Sequence, residues 1–231
     1  MTAPLSLPEA EQLAEATRTP YYEADGITLW HGDCLDILPS LGDAEFDAVL
    51  TDPPYNFGFD YDGHDDAMDP AEYAAWCARW YAECRRVSSR VIVFPGHGNL
   101  PTWWDIARPS GVGCWYKPGN PKGAGVFQFC EWEPFLLYGK GVGGSDVVRA
   151  TVNKQPDTGD HPCPKPISLF KQLVDKTKAT SVLDPFAGSG TTLVAAKYLG
   201  VKATGIELNE RYCEIAASRL AQGVLDFGGA A

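Results

Sequence analysis

The segment from Thr180 to Tyr212 places the strongest constraint on the fold of this chain. It reads TSVLDPFAGSGTTLVAAKYLGVKATGIELNERY: an apolar strand, a glycine turn, a helix, and a second strand that ends on an acidic residue. This succession is half of a nucleotide-binding α/β unit, in which the ligand lies beyond the carboxyl ends of parallel strands. An isolated Gly-x-Gly often only turns the chain, but here all four parts occur in order.

The glycine turn favours a nucleoside ligand without phosphates. Leu193 stands where a dinucleotide fingerprint has its third glycine, and the turn lacks the lysine of a phosphate-binding loop. Gly188 and Gly190 allow the backbone to approach the ligand, while the Glu207 carboxylate is placed to accept hydrogen bonds from ribose hydroxyls. Asp184, at the tip of the first strand, is placed to bind an ammonium group. A ribose diol together with an ammonium group describes S-adenosyl-L-methionine.

Short apolar runs alternate with amphipathic runs through most of the chain. Apolar residues spaced three and four apart predict helices in DPAEYAAWCARWYAECRRVS, where Asp69 is a cap, in KPISLFKQLVDKTK and in NERYCEIAASRLAQ. The alternation predicts an α/β fold with helices on both faces of a doubly wound, mostly parallel sheet. Seven strands are predicted: ITLWHG, FDAVLTD, RVIVFPG, GCWYKP, EPFLLYG, TSVLDPF and KATGIEL.

Several protein classes are disfavoured by composition. The 231 residues suit one domain, and no apolar run approaches the roughly 20 residues of a membrane span. The N-terminus lacks the basic and apolar regions of a secretion signal, so we expect a soluble, cytoplasmic protein without membrane contact. Seven cysteines without a C-x-x-C predict reduced thiols. His161 and Cys163 lack a second pair of ligands, so no metal is expected.

The charge distribution bears on nucleic-acid binding. A net charge of -11 is unusual for a protein that binds phosphates. Residues 1–110 carry 6 basic and 19 acidic side chains, whereas residues 111–180 carry 9 basic and 6 acidic ones. A polyanion is therefore expected to bind near the middle segment.

A second strand, in the run AVLTDPPYNFG, continues directly into Asp52-Pro53-Pro54-Tyr55. Together with DPFAGSGTT, GIELNERY and HPCPKPISLFKQLV, this loop resembles the amino-methyltransferases of DNA, which modify adenine N6 or cytosine N4. Because TDPPY precedes the glycine turn, the motif order resembles that of their circularly permuted β class. The resemblance covers roughly Ile27 to Leu220. It implies the Rossmann-like, seven-stranded fold of S-adenosylmethionine-dependent methyltransferases.

The resemblance implies a catalytic role for the four residues of the Asp-Pro-Pro-Tyr loop. An exocyclic amine is a poor nucleophile, since its lone pair is delocalised into the base. The Asp52 carboxylate and the Pro53 carbonyl can each accept one N–H and so turn the lone pair towards the methyl donor. Pro53 and Pro54 stiffen the loop and add no competing N–H. Tyr55 supplies a ring on which a flipped base stacks.

Further site residues follow from the same resemblance. Asp33 and Cys34, in LWHGDCLDIL, are expected beside the adenine of the cofactor, and Lys165 is expected near its methionine end. The glycine turn adds Pro185, Phe186, Ser189 and Thr191 to the cofactor site. Lys117 is a candidate phosphate contact. Four aromatic residues either line the target-base side or belong to the core, as aromatic residues on strands usually do: Trp115, Phe127, Phe129 and Trp132.

The chain departs from the family in its recognition region. A single methyltransferase domain is expected, with a catalytic half (21–140), a minimal recognition or linker segment (141–160) and a cofactor-binding half (161–222). Large members carry a recognition domain where this chain has only Gly141 to Asp160, with Arg149 and Lys154 as strong donors. Extensive readout of base edges is therefore not expected. The loop after Tyr55 carries Asp60, Asp62, Asp65, Asp66 and Asp69, whereas a DNA clamp would be basic.

The leading hypothesis is an enzyme that methylates N6 of adenine in DNA, with site-specific or relaxed specificity. Asp at the first position of the loop is commoner among adenine enzymes of the family, so N4 of cytosine is the near alternative. RNA or a protein glutamine amide is a more distant substrate, and a non-catalytic cofactor-binding subunit is a different class. A homodimer would enlarge the DNA-contacting surface. The restriction partner, if any, is left open.

Overall fold

One nine-stranded sheet organises the described part of the chain. The computed structural model describes residues 19–58, 67–118, 130–152 and 165–222. Within these ranges the strands lie in the order β1-β2-β9-β8-β3-β4-β6-β5-β7. They are β1 Tyr22–Ala24, β2 Ile27–His31, β3 Ala48–Thr51, β4 Arg90–Val93, β5 Gly111–Tyr116, β6 Trp132–Gly139, β7 Val147–Arg149, β8 Ser181–Asp184 and β9 Lys202–Glu207.

The centre of the sheet is parallel. The neighbours β2, β9, β8, β3 and β4 run in one direction, and β6 and β5 follow as antiparallel strands. All four residues of β3 are buried, as expected for a central strand that is covered on both faces. The α/β sheet predicted from the alternating pattern is confirmed.

Six helices cover this sheet in the described ranges. They are α1 Cys34–Ile37, α2 Pro70–Val87, α3 Leu100–Ile106, α4 Ile167–Thr177, α5 Thr191–Tyr198 and α6 Glu210–Ala221, with a 3-10 turn at Leu38–Ser40. The predicted cap is present, since the Asp69 side chain accepts a hydrogen bond from the Ala71 N–H at the start of α2. Asn209 caps α6 in the same way. No helix of the described part is long and apolar enough to cross a membrane.

The core has two layers because alternate residues of each strand face opposite sides. Ala48 and Leu50 of β3 belong to a cluster that includes residues of α4, α5 and α6. Val49, between them, belongs to a second cluster with residues of α2 and α3. Helices therefore pack on both faces of the sheet. The carboxyl ends of its strands are left for the site.

All seven predicted strands are present, and the sheet has two more. β1 pairs with β2, and β7 pairs with β5, so both additions lie at the edges. Each is three residues long, which is too short for alternation to be recognised. The division of the domain at residues 140 and 160 stays a prediction.

The pairing of β5 with β6 generates a stability prediction. Gly113 lies opposite Phe135, and a Cβ at Gly113 would lie 2.0 Å from the Phe135 ring. We expect Gly113→Ala to lower the free energy of unfolding by roughly 1–3 kcal/mol, because the ring must leave a packed position. Gly111→Ala is the control, since a Cβ there meets no atom within 4 Å. Urea denaturation of both variants measures the difference. Equal stabilities would contradict the packing argument.

Candidate active site

Three carboxylates lie together at one edge of the sheet. β3, β8 and β9 are adjacent and parallel, with Val49 opposite Leu183 and Asp184 opposite Gly205. Asp52 follows the end of β3, Asp184 is the last residue of β8, and Glu207 is the last residue of β9. The sequence prediction that these residues share the carboxyl edge agrees with this register.

Asp184 is the most enclosed of the three. Its side chain accepts hydrogen bonds from the Thr51 hydroxyl at 2.8 Å, from the Phe186 N–H at 3.1 Å and from the Thr192 hydroxyl. Burial raises the pKa of this carboxyl to about 6, although the three donors oppose the rise. A carboxylate has about four acceptor positions. The predicted contact with a ligand ammonium is therefore limited to one further hydrogen bond.

The glycine turn has a fixed conformation. Gly188 and Gly190 have φ values of +51° and +81°, a region that favours glycine. A Cβ at Gly190 would lie 2.8 Å from the Ala216 Cβ on α6, so this glycine also permits close helix packing. The buried Arg219 guanidinium donates to the Ser189 carbonyl and, at 3.1 Å, to its hydroxyl.

Glu207 faces the glycine turn. Its carboxylate accepts the Gly188 N–H at 2.7 Å and the Asn209 N–H at 2.8 Å. Burial raises the pKa of the carboxyl to about 7, against the effect of these backbone donors. A sugar hydroxyl that donated to this group would favour its ionised form.

The other predicted cofactor residues lie around these carboxylates. Asp33 caps α1 by accepting the Leu35 N–H at 2.8 Å, whereas the Cys34 side chain is buried in the core. The Phe186 ring packs against Trp76 and Trp80, with ring centroids 5.4 and 5.0 Å apart. Pro185 is buried in the glycine turn, and Thr191 is buried at the first position of α5. Because the Cys34 side chain is buried in the core, any contact of Cys34 with a cofactor would involve its backbone.

The Asp-Pro-Pro-Tyr loop is held by neighbours from other elements. The Asn99 side-chain amide donates to the Tyr55 carbonyl at 2.8 Å, and the Tyr73 hydroxyl donates to the Pro54 carbonyl at 2.9 Å. A Cβ at Gly96 would lie 3.3 Å from the Tyr55 ring. These contacts fix the Tyr55 backbone and ring.

The loop that follows is closed by one side chain. Asn56 donates from its amide nitrogen to the Met68 carbonyl at 2.9 Å and accepts the Met68 N–H at 2.7 Å. Asp69 then caps α2. The predicted acidic segment with Asp60, Asp62, Asp65 and Asp66 lies outside the described residues.

A cluster of ionised side chains surrounds Asp52. The Lys165 ammonium lies 2.6 Å from Asp52 Oδ2, 2.9 Å from the Tyr55 hydroxyl and 3.1 Å from Glu133 Oε1. The Tyr55 hydroxyl donates to Asp52 Oδ1 and lies 3.1 Å from Glu133 Oε1. Lys117 reaches Glu133 Oε2 at 3.2 Å. Two carboxylates, two ammonium groups and a phenol thus share one enclosed site.

The ionisable groups of the cluster have pKa values that are shifted in different directions. Burial raises the pKa of Asp52, and Lys165 opposes this rise. Burial also acts to raise the pKa of Glu133, but the ammonium groups of Lys165 and Lys117 hold it below its usual value. Burial lowers the pKa of Lys165, yet the two carboxylates raise it above its usual value. The pKa values of the two carboxyl groups are therefore shifted in opposite directions.

The structure places two of the lysines in the Asp52 site. The ammonium of Lys165, whose place near the methionine end of the cofactor stays a prediction, binds Asp52 and Glu133. Lys117, a candidate phosphate contact, has a side chain that is only 11% exposed and is paired with Glu133. Both lysines belong to the Asp52 site, since a buried ammonium needs a carboxylate partner.

Glu133 opens the strand segment EPFLLYG, whose Glu-x-x-Leu-x-Tyr pattern resembles a strand of the family that lines the target-base side. Its pairing with Lys165 and Lys117 is not among the sequence predictions. Asn99 and Thr51 are candidates that the sequence reasoning misses, because their contacts join elements that are far apart in the sequence. Thr192 is missed as well, although it lies close to Asp184 in the chain.

The predicted aromatic residues divide between core and surface. Trp115 is buried and donates its indole N–H to the Ala150 carbonyl at 2.8 Å. Trp132 is 45% exposed and packs edge-to-face on His97, with ring centroids 4.6 Å apart. Phe127 and Phe129 lie outside the described residues.

His161 and Cys163, the candidate metal ligands in the sequence, also lie outside the described residues, as does Lys154. In the described ranges no group of three or more His, Cys, Asp or Glu side chains is placed to hold a metal ion.

The sheet order and the edge site define a Rossmann-like methyltransferase. A family model described as DNA methylase, which covers N6 and N4 methyltransferases, matches residues 46–117 and 139–218. The chain belongs to this family. The resemblance to N6/N4 DNA methyltransferases is confirmed.

Two curated relatives span most of the chain. The type II methyltransferase M.ScaI of Streptomyces caespitosus is 27% identical over 90% of this chain and 86% of its own length. The DNA adenine methyltransferase YhdJ of Escherichia coli strain K12 is 26% identical over 84% of this chain and 82% of its own length.

Two solved structures share the fold. The M1.HpyAVI complex with S-adenosylmethionine has a TM-score of 0.64 and 22% identity, and the match covers 85% of this chain and all of that one. The PvuII DNA methyltransferase, which is cytosine-N4-specific, has a TM-score of 0.68 and 16% identity, with coverage of 89% and 90%. The Rossmann-like fold is therefore shared with an enzyme that is cytosine-N4-specific.

The enclosure of Asp184 generates a prediction about pH-dependent stability. Its folded pKa of about 6 exceeds the ordinary value of 3.8, so its ionisation already costs stability as pH rises through 6. Thr192→Val removes a donor to the carboxylate and raises this pKa further. We expect a loss of roughly 1–3 kcal/mol in unfolding free energy at pH 8 and a smaller loss at pH 5. Urea denaturation at both pH values measures it, with Thr28→Val on β2 as the control. A loss independent of pH would contradict the role of the hydroxyl.

Proposed function

We propose that this DNA methylase transfers a methyl group from S-adenosyl-L-methionine to the exocyclic N6 of adenine in DNA. The observation that carries the proposal is the Asp52 carboxylate, which stands at the end of β3 beside the strands of Asp184 and Glu207. The proposed hydrogen-bond acceptor for the target amine and the proposed nucleoside site therefore lie at the same carboxyl edge of the sheet. Direct transfer between two ligands requires this proximity.

The residues of the loop have separate tasks. Asp52 and the Pro53 carbonyl each accept an N–H of the target amine and so localise its lone pair. The Tyr55 ring, which lies against Gly96, offers a stacking surface to a base that has flipped out of the DNA duplex. A new N–C bond replaces the S–C bond of the methyl donor, and the amine then gives up one proton. Asp52, whose pKa burial raises, and water are the proposed acceptors of that proton.

The cofactor site fits a nucleoside with a charged amino acid end. When bound, S-adenosylmethionine supplies an electrophilic methyl group on a sulfonium. Glu207 is the proposed acceptor of ribose hydroxyls, and Asp184 has one position left for the ammonium group. Asp33 and Phe186 are the proposed neighbours of the adenine. The turn at Gly188 and Gly190 leaves no side chain in the ligand's way.

Adenine is preferred to cytosine on two grounds. Asp is the first residue of the loop, which is the commoner choice among the family's adenine enzymes, and the adenine methyltransferase YhdJ is 26% identical. The N4 position of cytosine is the second candidate, since the PvuII enzyme shares the fold. The chemistry at Asp52 is the same for both amines.

Sequence recognition by this chain is proposed to be short or relaxed. Of the two strong donors expected between Gly141 and Asp160, the Arg149 guanidinium lies 5.9 Å from the centroid of the Tyr116 ring. The net charge of -11 also disfavours a long phosphate contact surface. A second copy of the chain would add such a surface, so a homodimer is part of the proposal. The type II names of relatives such as M.ScaI favour a restriction-modification setting in the cytoplasm.

The base and the role of Asp52 are tested together. We expect wild-type protein to transfer labelled methyl groups to unmethylated genomic DNA, and Asp52→Ala to lose at least about a thousandfold in rate. Asp105→Ala, an exposed site on α3, is the matched control. Nucleoside digestion and mass spectrometry identify the product. N6-methyladenine supports the proposal, whereas N4-methylcytosine keeps the mechanism and replaces the base. Cofactor binding without any label in DNA would reject DNA and direct the assay to RNA or protein.

The raised pKa of Glu207 generates a binding prediction. Hydroxyl donors favour the carboxylate, so cofactor affinity should fall by up to about tenfold per pH unit below 7 and level off above it. Glu207→Gln should bind more weakly at pH 8 and lose this dependence. Calorimetric titration with S-adenosylmethionine between pH 6 and 8 measures both effects. An unchanged pH profile in the variant would remove Glu207 from the cofactor site.

A further inference from the structure

Glu133 is a buried carboxylate that the reaction described above does not use. It is the second residue of β6, and its side chain is 13% exposed. Oε1 lies 3.1 Å from the ammonium of Lys165 and 3.1 Å from the hydroxyl of Tyr55, while Oε2 lies 3.2 Å from the ammonium of Lys117. Both oxygens are therefore engaged inside the Asp52 site.

The position of Glu133 is set by the sheet. It pairs with Trp115 across β5 and β6, and Lys117 follows two residues after Trp115. Lys117 and Glu133 are thus a diagonal cross-strand pair. The Lys117 N–H also donates to the Glu131 carbonyl at 2.6 Å. Neither side chain is on a free loop, so the pair is a rigid part of the base-facing wall.

We infer that Glu133 is a positioning residue for methyl transfer, which holds the Lys165 ammonium beside Asp52 and offsets its charge where a cationic methyl donor must bind. This inference rests on the function proposed above. The cluster contains the carboxylates Asp52 and Glu133 and the ammonium groups Lys165 and Lys117, so its charges balance. Without Glu133 the site would carry one net positive charge facing a sulfonium.

The geometry also explains how Asp52 becomes accessible to the amine. Lys165 lies 2.6 Å from Asp52 Oδ2, one of the two carboxylate oxygens that can accept a substrate N–H. Glu133 Oε1 and the Tyr55 hydroxyl are alternative acceptors for the same ammonium, at 3.1 and 2.9 Å. Lys165 can therefore release Asp52 to a substrate N–H while it remains paired. Glu133 is the group that receives it.

A comparison of the affinities for two ligands that differ in charge distinguishes this electrostatic role of Glu133 from simple structural support. S-adenosylmethionine carries a sulfonium cation, whereas S-adenosylhomocysteine has a neutral sulfur at the same place. Glu133→Gln keeps the size of the side chain and removes its charge. We expect it to weaken binding of S-adenosylmethionine by about tenfold or more and binding of S-adenosylhomocysteine by less than about twofold. Calorimetric titration of both ligands without DNA measures the ratio of affinities.

Matched variants test the same charge balance in the opposite direction. Lys117→Met removes a cation from the cluster and should shift the affinity ratio towards S-adenosylmethionine. The double variant, Glu133→Gln with Lys117→Met, should return the ratio to the wild-type value, and Glu133→Asp should preserve it. Thermal denaturation checks that each variant is folded. If Glu133→Gln is unfolded, the Lys117→Met and double variants still decide the outcome.

The failure of this inference differs from the failure of the proposed function. An equal loss of affinity for both ligands in Glu133→Gln, with no recovery in the double variant, overturns the role of Glu133. That result is independent of any methyl transfer. If the variants show the expected shifts in the affinity ratio but wild-type protein labels no DNA, the electrostatic role is supported and the DNA substrate is rejected instead.

Discussion

The hydrogen bonds to the buried Asp184 carboxylate are the interactions on which the site depends most. This carboxylate accepts donors from the end of β3, from the backbone of the glycine turn and from the first turn of α5. These three segments carry Asp52, the proposed nucleoside-binding backbone and the helix behind it. Because a buried carboxylate without donors is costly, the segments cannot separate without exposing it to water. The proposed catalytic and cofactor parts are therefore positioned by one group.

The Asp52 site is built on a different principle, since its charges compensate each other. Lys165 arrives from the segment before α4, Lys117 and Glu133 from the paired strands β5 and β6, and Tyr55 from the loop after β3. A buried ammonium or carboxylate alone would be strongly unfavourable, but each here has partners within hydrogen-bond distance. Assembly of this cluster requires both halves of the sheet to be in place. The family's motifs, which are far apart in the chain, become one site only in the folded state.

Sequence reasoning reaches the fold and the sheet-edge carboxylates because their signals are local. Each of the seven predicted strands is an apolar run with a turn beside it, and Asp52, Asp184 and Glu207 all stand at strand ends. The cluster around Asp52 is not local in this sense. The pairing of Lys165 with Asp52 depends on how the segment before α4 packs, and neither spacing nor composition contains that information. The partners of Glu133 are not predicted for the same reason, since they lie directly after β5, before α4 and in the Asp52 loop.

The clamp between Asn56 and Met68 has a consequence for how such a chain diversifies. Two hydrogen bonds close the segment that begins directly after Tyr55 and ends directly before the Asp69 cap of α2. The cost of closing a loop rises only slowly with its length. Insertions or replacements between the clamped ends can therefore be tolerated without displacing Tyr55 or α2. One side chain thus holds the two ends of the segment together, whatever sequence lies between them.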